Sequence, residues 1–205
     1  MKTLFYLMDI RTIDAQALPR LLDTLPESRR NKALSFRFEA DRLRSAAAGL
    51  LARHALAQIG LSDALLGYAE NGRPCIEGHP SCCLSLSHSG DYAACVLSTA
   101  PAAVDVEEHA GDRDSILRRC YTEAERAWVN AAAGQARTAR FYEIWCKKEC
   151  RMKLDSYDHL REIDTFTPEP GFSYALFPLP GYSCAVYGKT ELLPAAPVWR
   201  SGGEG

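Results

Sequence analysis

Two acidic residues near the middle of the chain have the spacing of a small cation site. In the segment Ala-Val-Asp-Val-Glu-Glu, Asp105 and Glu107 alternate with Val104 and Val106. Because side chains two apart on a strand share a face, both carboxylates would point the same way while the valines enter the core. Such a pair suits Mg²⁺, which takes oxygen ligands and often binds substrate phosphates as well. A strand end with a solvated acidic face has the same pattern, so the pair alone does not decide between the two.

A second group lies on a segment with helical spacing, residues 138–153, which includes Trp145 and Lys148. Glu149 and Lys153 are four residues apart and would therefore lie on one face of the helix. They could form an ordinary surface ion pair. They could also supply a third metal ligand or general base, with a cation for phosphate oxygens.

A third group could bind phosphate where a predicted strand enters a turn, at Ser87 and His88. The same two residues could act as nucleophile and base, but the G-x-S-x-G motif of a hydrolase elbow is absent.

Upstream, residues 28–53 contain seven basic residues against two acidic ones, and Arg73 follows a further turn. Clustered Arg and Lys suit a polyanionic small molecule, whereas any single one suits a solvated helix face. The seven are Arg29, Arg30, Lys32, Arg37, Arg42, Arg44 and Arg53.

The elements that would position these residues belong to the α+β class, with antiparallel sheets packed against long helices. Apolar runs predict strands at 4–8, 82–87, 92–98 and 102–107, and a final hairpin of 172–177 with 182–188. Helical spacing predicts helices at 14–24 and 27–35, and a long helix from Glu39 to Ile59. A change of composition near residue 100 predicts an N-terminal half, 1–100, and a C-terminal half, 101–205.

Local signals refine these boundaries. Thr122 and Glu125 form a capping box that should open a helix ending at Gly134. Thr138 can cap the helix that follows. Asn71-Gly72 predicts a tight turn. The tail from about Lys189 is rich in prolines and small residues and is expected to be poorly ordered.

Composition narrows the class of protein. The net charge of −2 speaks against a strong attraction to nucleic acid or anionic membrane. No apolar run reaches the roughly 18 residues of a membrane span, and the N-terminal run is too short for a signal peptide. We therefore expect a cytoplasmic protein whose eight cysteines are thiols. A zinc site at Cys75, His79, Cys82 and Cys83 is disfavoured, because adjacent strand residues point to opposite faces.

These motifs occur together and in order in one known family. The sequence resembles the surfactin-type 4'-phosphopantetheinyl transferases, whose metal motifs are G-[IV]-D-[IV]-E and W-x-x-K-E-x-x-x-K. Here they read as residues 103–107 and 145–153, preceded by Gly72-Arg73-Pro74 and Ser87-His88-Ser89-Gly90. A basic block followed by Asp41-Arg42-Leu43-Arg44 matches the family's N-terminal region. The match covers residues 26 to 153, and its specificity comes from the order of the motifs.

The resemblance implies a role for each matching position. Asp105, Glu107 and Glu149 would bind Mg²⁺, Glu149 would also be the base, and Lys153 would stabilise charge on the transferred phosphate. Coenzyme A would be held at its phosphates and nucleotide by Arg29, Lys32, Arg44, Arg73, Ser87 and His88. The resemblance also implies a pseudo-twofold monomer with its site between the halves. Its partner would be an apo acyl or peptidyl carrier protein of fatty-acid, polyketide or nonribosomal-peptide synthesis.

Departures from the family pattern keep other functions open. Ala103 replaces a glycine, Arg73 a lysine and Cys150 a smaller residue, while the segment 154–160 lacks the usual glycines. A degenerate relative that binds coenzyme A or a carrier protein without transferring anything is one alternative. A magnesium-dependent phosphoesterase that needs no carrier is another, and a protein without a site is a third.

Overall fold

The computed structural model describes residues 3–69, 72–111, 113–155 and 159–202. These residues form an α+β fold. The strands are β1 (Leu4–Asp9), β2 (Leu66–Tyr68), β3 (Pro74–Ile76), β4 (Cys83–Ser89), β5 (Tyr92–Ser98), β6 (Ala102–Glu108), β7 (Phe172–Leu176), β8 (Tyr182–Lys189) and β9 (Val198–Arg200). The α-helices are α1 (Leu18–Thr24), α2 (Glu27–Leu34), α3 (Glu39–Gln58), α4 (Asp114–Cys120), α5 (Glu123–Asn130) and α6 (Gly134–Leu154).

Two larger sheets and one short ribbon organise these strands. The first sheet has the order β4-β5-β1-β9, in which β9 is parallel to β1 and the other neighbours are antiparallel. The second sheet, β6-β8-β7, is antiparallel. The ribbon pairs β2 with β3. Three of the six strand pairings join strands that are consecutive in sequence, namely β2 with β3, β4 with β5 and β7 with β8.

The core consists of three packing interfaces. Small residues of α3, including Ala48 and Ala52, pack on one face of the first sheet, where they let the helix approach closely. The other face of that sheet meets the second sheet, so that Phe5 and Leu7 share a cluster with Val104 and Val106. The second sheet is covered in turn by α6. The alternation of β6 therefore places its valines between the sheets and Asp105 and Glu107 toward α6.

Most predicted elements are confirmed, with differences at short elements and helix ends. The helix opened by the Thr122 capping box ends at Asn130 instead of Gly134. Thr138 does not cap the next helix, because α6 already begins at Gly134, and the Thr138 hydroxyl donates to a carbonyl within that helix. Helix α4 and strands β2 and β3 were not predicted. Asn71 and residues 156–158 of the glycine-poor segment lie outside the described residues.

The expectation of a poorly ordered tail is wrong for residues 189–202. Strand β9 lies against β1, with Tyr6 opposite Val198 and Met8 opposite Arg200. A three-residue strand has no periodicity that a sequence pattern could reveal, and its order comes from a partner far away in the chain. The first sheet thus combines strands from residues 1–100 with one from the C-terminal tail. The pseudo-twofold relation between the halves stays a prediction.

None of the described helices combines the length and the apolar character that crossing a membrane requires.

Candidate active site

The candidate site lies where β4, an edge strand of the first sheet, runs beside β6, an edge strand of the second sheet. Strands β4 and β6 run in the same direction, and side chains of β4 accept hydrogen bonds from the backbone of β6. The Val104 amide donates to the Ser85 hydroxyl at 3.1 Å, and the Val106 amide donates to the Ser87 hydroxyl at 3.3 Å. The Glu108 amide donates to the Ser89 hydroxyl at 3.0 Å. These serines thereby satisfy amides that the free edge of a sheet would leave without a partner.

Asp105 lies at the centre of this junction with only 3% of its surface exposed. One of its carboxylate oxygens, Oδ1, accepts from Lys153 Nζ at 2.7 Å and from the Ser87 hydroxyl at 2.8 Å. Lys153 also donates to the Val104 carbonyl at 2.9 Å. The other oxygen, Oδ2, is buried and has no hydrogen-bond partner among the described residues. A buried carboxylate oxygen without a partner is costly, so this position favours a further positive group.

Glu107 and Glu149 belong to the same electrostatic environment. Burial raises the pKa of Glu107 to about 7, and the negative charges of Asp105 and Glu149 add to the effect. Hydrogen bonds from Ser89 and Trp145 oppose it. Burial, followed by the charge of Asp105, also raises the pKa of Glu149. The hydrogen bonds from Lys153 of α6 to Asp105 and to the Val104 carbonyl of β6 show that the structure brings these two elements together here.

The pKa of Lys153 is raised as well. Burial acts to lower it, but the charge of Asp105 and the hydrogen bond to it outweigh that effect. Lys153 is therefore held as a cation at the edge of the acidic group.

These residues fit Mg²⁺ in the chemistry of their donors. Asp105, Glu107 and Glu149 provide hard oxygen ligands, and Asp105 Oδ2 is available to a cation. Among the described residues, however, no three His, Cys, Asp or Glu side chains are gathered closely enough to form a preformed metal site. Lys153 occupies the other oxygen of Asp105. Assembly of the site would therefore need the glutamate side chains to move toward Asp105.

A small basic cavity of about 260 Å³ lies beside the acidic residues. Four of the residues predicted to bind coenzyme A line it: Arg29, Lys32, Ser87 and His88. Burial lowers the pKa of His88 to about 4, and the charges of Arg29, Lys153 and Arg44 contribute. Burial disfavours charge of either sign, but the three cations make the cavity more favourable to an anion than to a cation.

The basic residues of this region differ in their partners. Arg29 is buried, and it donates to the Tyr68 hydroxyl at 2.7 Å and to the Ser45 carbonyl at 2.9 Å, while its Nε has no partner among the described residues. Lys32 is exposed at the rim. Arg44 does not line this cavity. Its side chain instead pairs with Asp41 at 2.5 Å and donates to the Gly90 carbonyl at 2.8 Å. Its charge nevertheless reaches His88.

A larger cavity of about 540 Å³ adjoins the first and shares Gly72, Pro74 and Leu86 with it. Its lining includes Arg73, Glu149 and Lys153. Arg73 donates to the Cys83 sulfur at 2.7 Å. The two cavities together connect the basic residues near α2 with Glu149 and Lys153 of α6, which is the arrangement that a ligand with several phosphates would need.

Several residues of the site lie outside the predicted set. Ser89 donates to Glu107 Oε2 at 3.0 Å, and the Tyr68 hydroxyl joins the basic cavity. Next to Glu149, Lys148 is fully buried and pairs with the buried Glu125 at 2.8 Å. The sequence places Ser89 in the Ser87-His88-Ser89-Gly90 motif and Lys148 in the helical group with Glu149, but it predicts no contact for either. Their contacts depend on elements that are distant in sequence, so no local pattern could have revealed them.

Comparison with known proteins adds an independent line of evidence. The sequence profile of the family described as the 4'-phosphopantetheinyl transferase superfamily matches residues 101–177. That segment contains β6, with Asp105 and Glu107, and α6, with Glu149 and Lys153.

Individual relatives extend the match beyond that segment. The 4'-phosphopantetheinyl transferase Sfp of Bacillus subtilis (strain 168) is 25% identical over 160 residues, which cover 77% of this chain and 71% of the relative. The transferase psf-1 of Bacillus pumilus is 27% identical over 142 residues, which cover 68% of this chain and 61% of the relative. The transferase gsp of Aneurinibacillus migulanus is 28% identical over 69 residues, 34% of this chain and 29% of the relative. These matches, together with the site between the two larger sheets, support the surfactin-type 4'-phosphopantetheinyl transferases as the family that this chain resembles in sequence.

Proposed function

We propose that this phosphopantetheinyl transferase takes its group from coenzyme A and attaches it to a serine of an apo acyl or peptidyl carrier protein. The observation that best supports this is that the basic cavity reaches the acidic residues: Ser87 in its lining donates to Asp105, and the adjoining cavity is lined by Glu149. Coenzyme A carries phosphates at both its diphosphate and its 3' position, so it needs both positive charge and a cation-binding group nearby.

Asp105, Glu107 and Glu149 would hold the Mg²⁺ ion of the reaction. When bound, this ion supplies Lewis-acid stabilisation of the diphosphate oxygens. The protein residues do the rest. Arg29, Lys32, Arg73, Ser87 and His88 surround the two cavities and would fix the nucleotide end and its phosphates. Arg44 would act through its charge on His88 rather than by lining the cavity.

The chemical step is attack by the carrier serine oxygen on the β-phosphorus of coenzyme A. The new serine O–P bond forms as the bond to the bridging oxygen breaks, and 3',5'-ADP leaves. Glu149 would accept the hydroxyl proton, and its raised pKa makes it a better base than an ordinary carboxylate. Lys153, held as a cation, would stabilise charge on the transferred phosphate.

Three single substitutions test this proposal: Asp105→Ala, Glu107→Ala and Glu149→Ala. Each is expected to lower transfer by at least about 100-fold, because each removes a carboxylate of the proposed magnesium group. The measurement is the mass shift of an apo carrier protein incubated with coenzyme A and Mg²⁺. Circular dichroism must show an unchanged fold.

The choice of substrates is tested in the same assay. A panel of apo fatty-acid, polyketide and nonribosomal-peptide carriers identifies the carrier class. Full activity of all three variants would refute the assigned roles. A protein that binds coenzyme A and modifies no carrier in the panel would instead be a binding module.

A further inference from the structure

The hydroxyl groups of β4 differ in what they can do beyond joining the two sheets. Ser85, Ser87 and Ser89 each accept one amide hydrogen bond from β6, from residues 104, 106 and 108. The offset between donor and acceptor is constant, so each serine meets β6 in the same geometry. What differs is the residue of β6 that precedes the donor.

At two of the three positions the preceding residue of β6 is acidic. Ser87 donates to Asp105 at 2.8 Å, and Ser89 donates to Glu107 Oε2 at 3.0 Å. At the third, Ser85, the corresponding residue is Ala103, which has no carboxylate. The repeating contact is therefore structural at Ser85, and it gains a second partner at Ser87 and Ser89.

The direction of these hydroxyl protons follows from the contacts themselves. The Ser89 oxygen accepts from the Glu108 amide, so its own O–H remains to be donated, and Glu107 is the acceptor it meets. A hydroxyl anchored to the backbone of the same strand as the carboxylate can restrict that side chain's rotation. Such a hydrogen bond also orients the carboxylate's remaining lone pairs toward the other side.

We infer that Ser89, and with it Ser87, is a positioning residue that orients the β6 carboxylates toward a bound divalent cation. The inference rests on the proposed function for the identity of that cation, Mg²⁺. It assigns the single hydroxyl proton of Ser87 to Asp105, so the phosphate contact expected from the resemblance would have to displace that hydrogen bond. Ser89 is the clearer case, because it was not expected to touch coenzyme A.

The chain offers a matched pair of variants that separates this role from the joining of the sheets. Ser89→Ala and Ser85→Ala each remove one acceptor of a β6 amide, so both should lower thermal stability. Only Ser89→Ala also releases a carboxylate. Ser89→Thr keeps the hydroxyl and should restore what the alanine variant loses.

The experiment measures the affinity of the full chain for Mn²⁺ alone. Electron paramagnetic resonance distinguishes free from bound Mn²⁺. Ser89→Ala is expected to weaken Mn²⁺ binding by about 10- to 100-fold, as loss of a residue that orients a metal ligand usually does. Ser85→Ala should stay within about twofold of the unchanged protein, and Ser89→Thr should recover most of the affinity. These three results together would support the inference.

Two outcomes would overturn it. In one, Ser89→Ala binds Mn²⁺ as well as the unchanged protein; in the other, Ser85→Ala loses as much affinity as Ser89→Ala. Neither outcome changes the test of the proposed function, which asks whether the unchanged protein modifies a carrier protein. Conversely, the unchanged protein could modify no carrier while Ser89→Ala still weakens Mn²⁺ binding as expected. That result would refute the proposed function and leave the positioning role in place.

Discussion

The pKa of His88 reflects the burial and the positive charge of its surroundings. It lies in the basic cavity, half-buried, with its ring against Phe36 at a centroid distance of 5.9 Å. Burial and the neighbouring cations Arg29, Lys153 and Arg44 lower its pKa to about 4. A neutral imidazole can donate one hydrogen bond to a phosphate without adding to the local positive charge.

The low pKa of His88 makes a testable statement about pH and stability. Unfolded, the side chain takes up its proton near pH 6.5, whereas folded it stays neutral down to about pH 4. The unfolded state therefore binds more protons in this window, and stability is lost as the pH falls from about 6.5 to about 4. The loss should be about 3 to 4 kcal/mol, at about 1.4 kcal/mol per pKa unit.

Urea unfolding at a series of pH values, with His88→Asn as the comparison, checks this expectation. The variant should show a flatter decline between pH 6.5 and 4. Nuclear magnetic resonance titration of the His88 ring gives the pKa directly, and bound 3',5'-ADP should raise it because a phosphate favours the imidazolium form. A pKa near 6.5 without ligand would contradict the buried, cationic surroundings described above.

At the residue scale, the sequence predicted the types of the acting groups better than their contacts. Asp105, Glu107, Glu149 and Lys153 were singled out because their spacing on a strand and on a helix is a local property. The hydrogen bonds of Ser89 could not be predicted, because they depend on how β4 and β6 pack across two different sheets. The burial of Lys148 could not be predicted from the sequence either, since a lysine on a helix is usually solvated.

At the scale of elements, the buried pair of Glu125 and Lys148 joins three segments. Lys148 Nζ donates to the Leu160 carbonyl at 3.1 Å and also to the Ile163 carbonyl. Glu125 Oε1 accepts from the Thr165 amide at 3.0 Å and from its hydroxyl at 2.8 Å. Helices α5 and α6 and the segment 160–165 are thereby held together beside Glu149.

Lys148→Met should destabilise the protein by about 3 to 5 kcal/mol, because it leaves the Glu125 carboxylate buried without its counter-ion. Lys147→Met is the matched control one residue away. Lys147 pairs with Glu143 nearer the surface, so its loss should cost about 1 kcal/mol or less. Urea unfolding of both variants gives the two free energies.

The double variant Glu125→Gln/Lys148→Met completes the cycle. It should be less destabilised than the sum of its single variants, because the uncompensated charge is gone. Strict additivity would show that the two side chains do not interact in the way that their 2.8 Å contact implies.

Element boundaries were predictable where periodicity or capping was strong. The apolar runs of β1 and β5 and the Thr122 capping box were found because each is a local pattern of several residues. Strands β2, β3 and β9 have three residues each, too few for any period to appear. The start of α6 was misplaced because Thr138 resembles a cap, whereas the helix begins at a glycine with positive φ.

At the scale of the whole molecule, the C-terminal tail completes the first sheet. Trp199 of β9 lies edge-on to Tyr92, with ring centroids 6.0 Å apart, although half of its surface stays exposed. Without β9, the backbone groups of β1 that face it would be left unpaired at a sheet edge. Free sheet edges promote association with other chains.

A chain that ends at residue 193 should therefore be less stable by about 1 to 3 kcal/mol, from lost strand pairing and apolar contact. It should also associate at high concentration. A chain that ends at residue 201 keeps β9 and serves as control. Differential scanning calorimetry and light scattering measure the two effects. Equal behaviour of both chains would show that β9 contributes nothing to the first sheet.

The serine contacts between β4 and β6 have a consequence for hydrogen exchange. Amides of β6 at positions 104, 106 and 108 depend on side-chain acceptors across the junction, whereas those at 103, 105 and 107 point toward β8. A brief separation of the sheets would expose only the first set to solvent deuterium. Neighbouring amides of one strand would then exchange at different rates, and the ratio of these rates would report how often the two sheets separate while each remains folded.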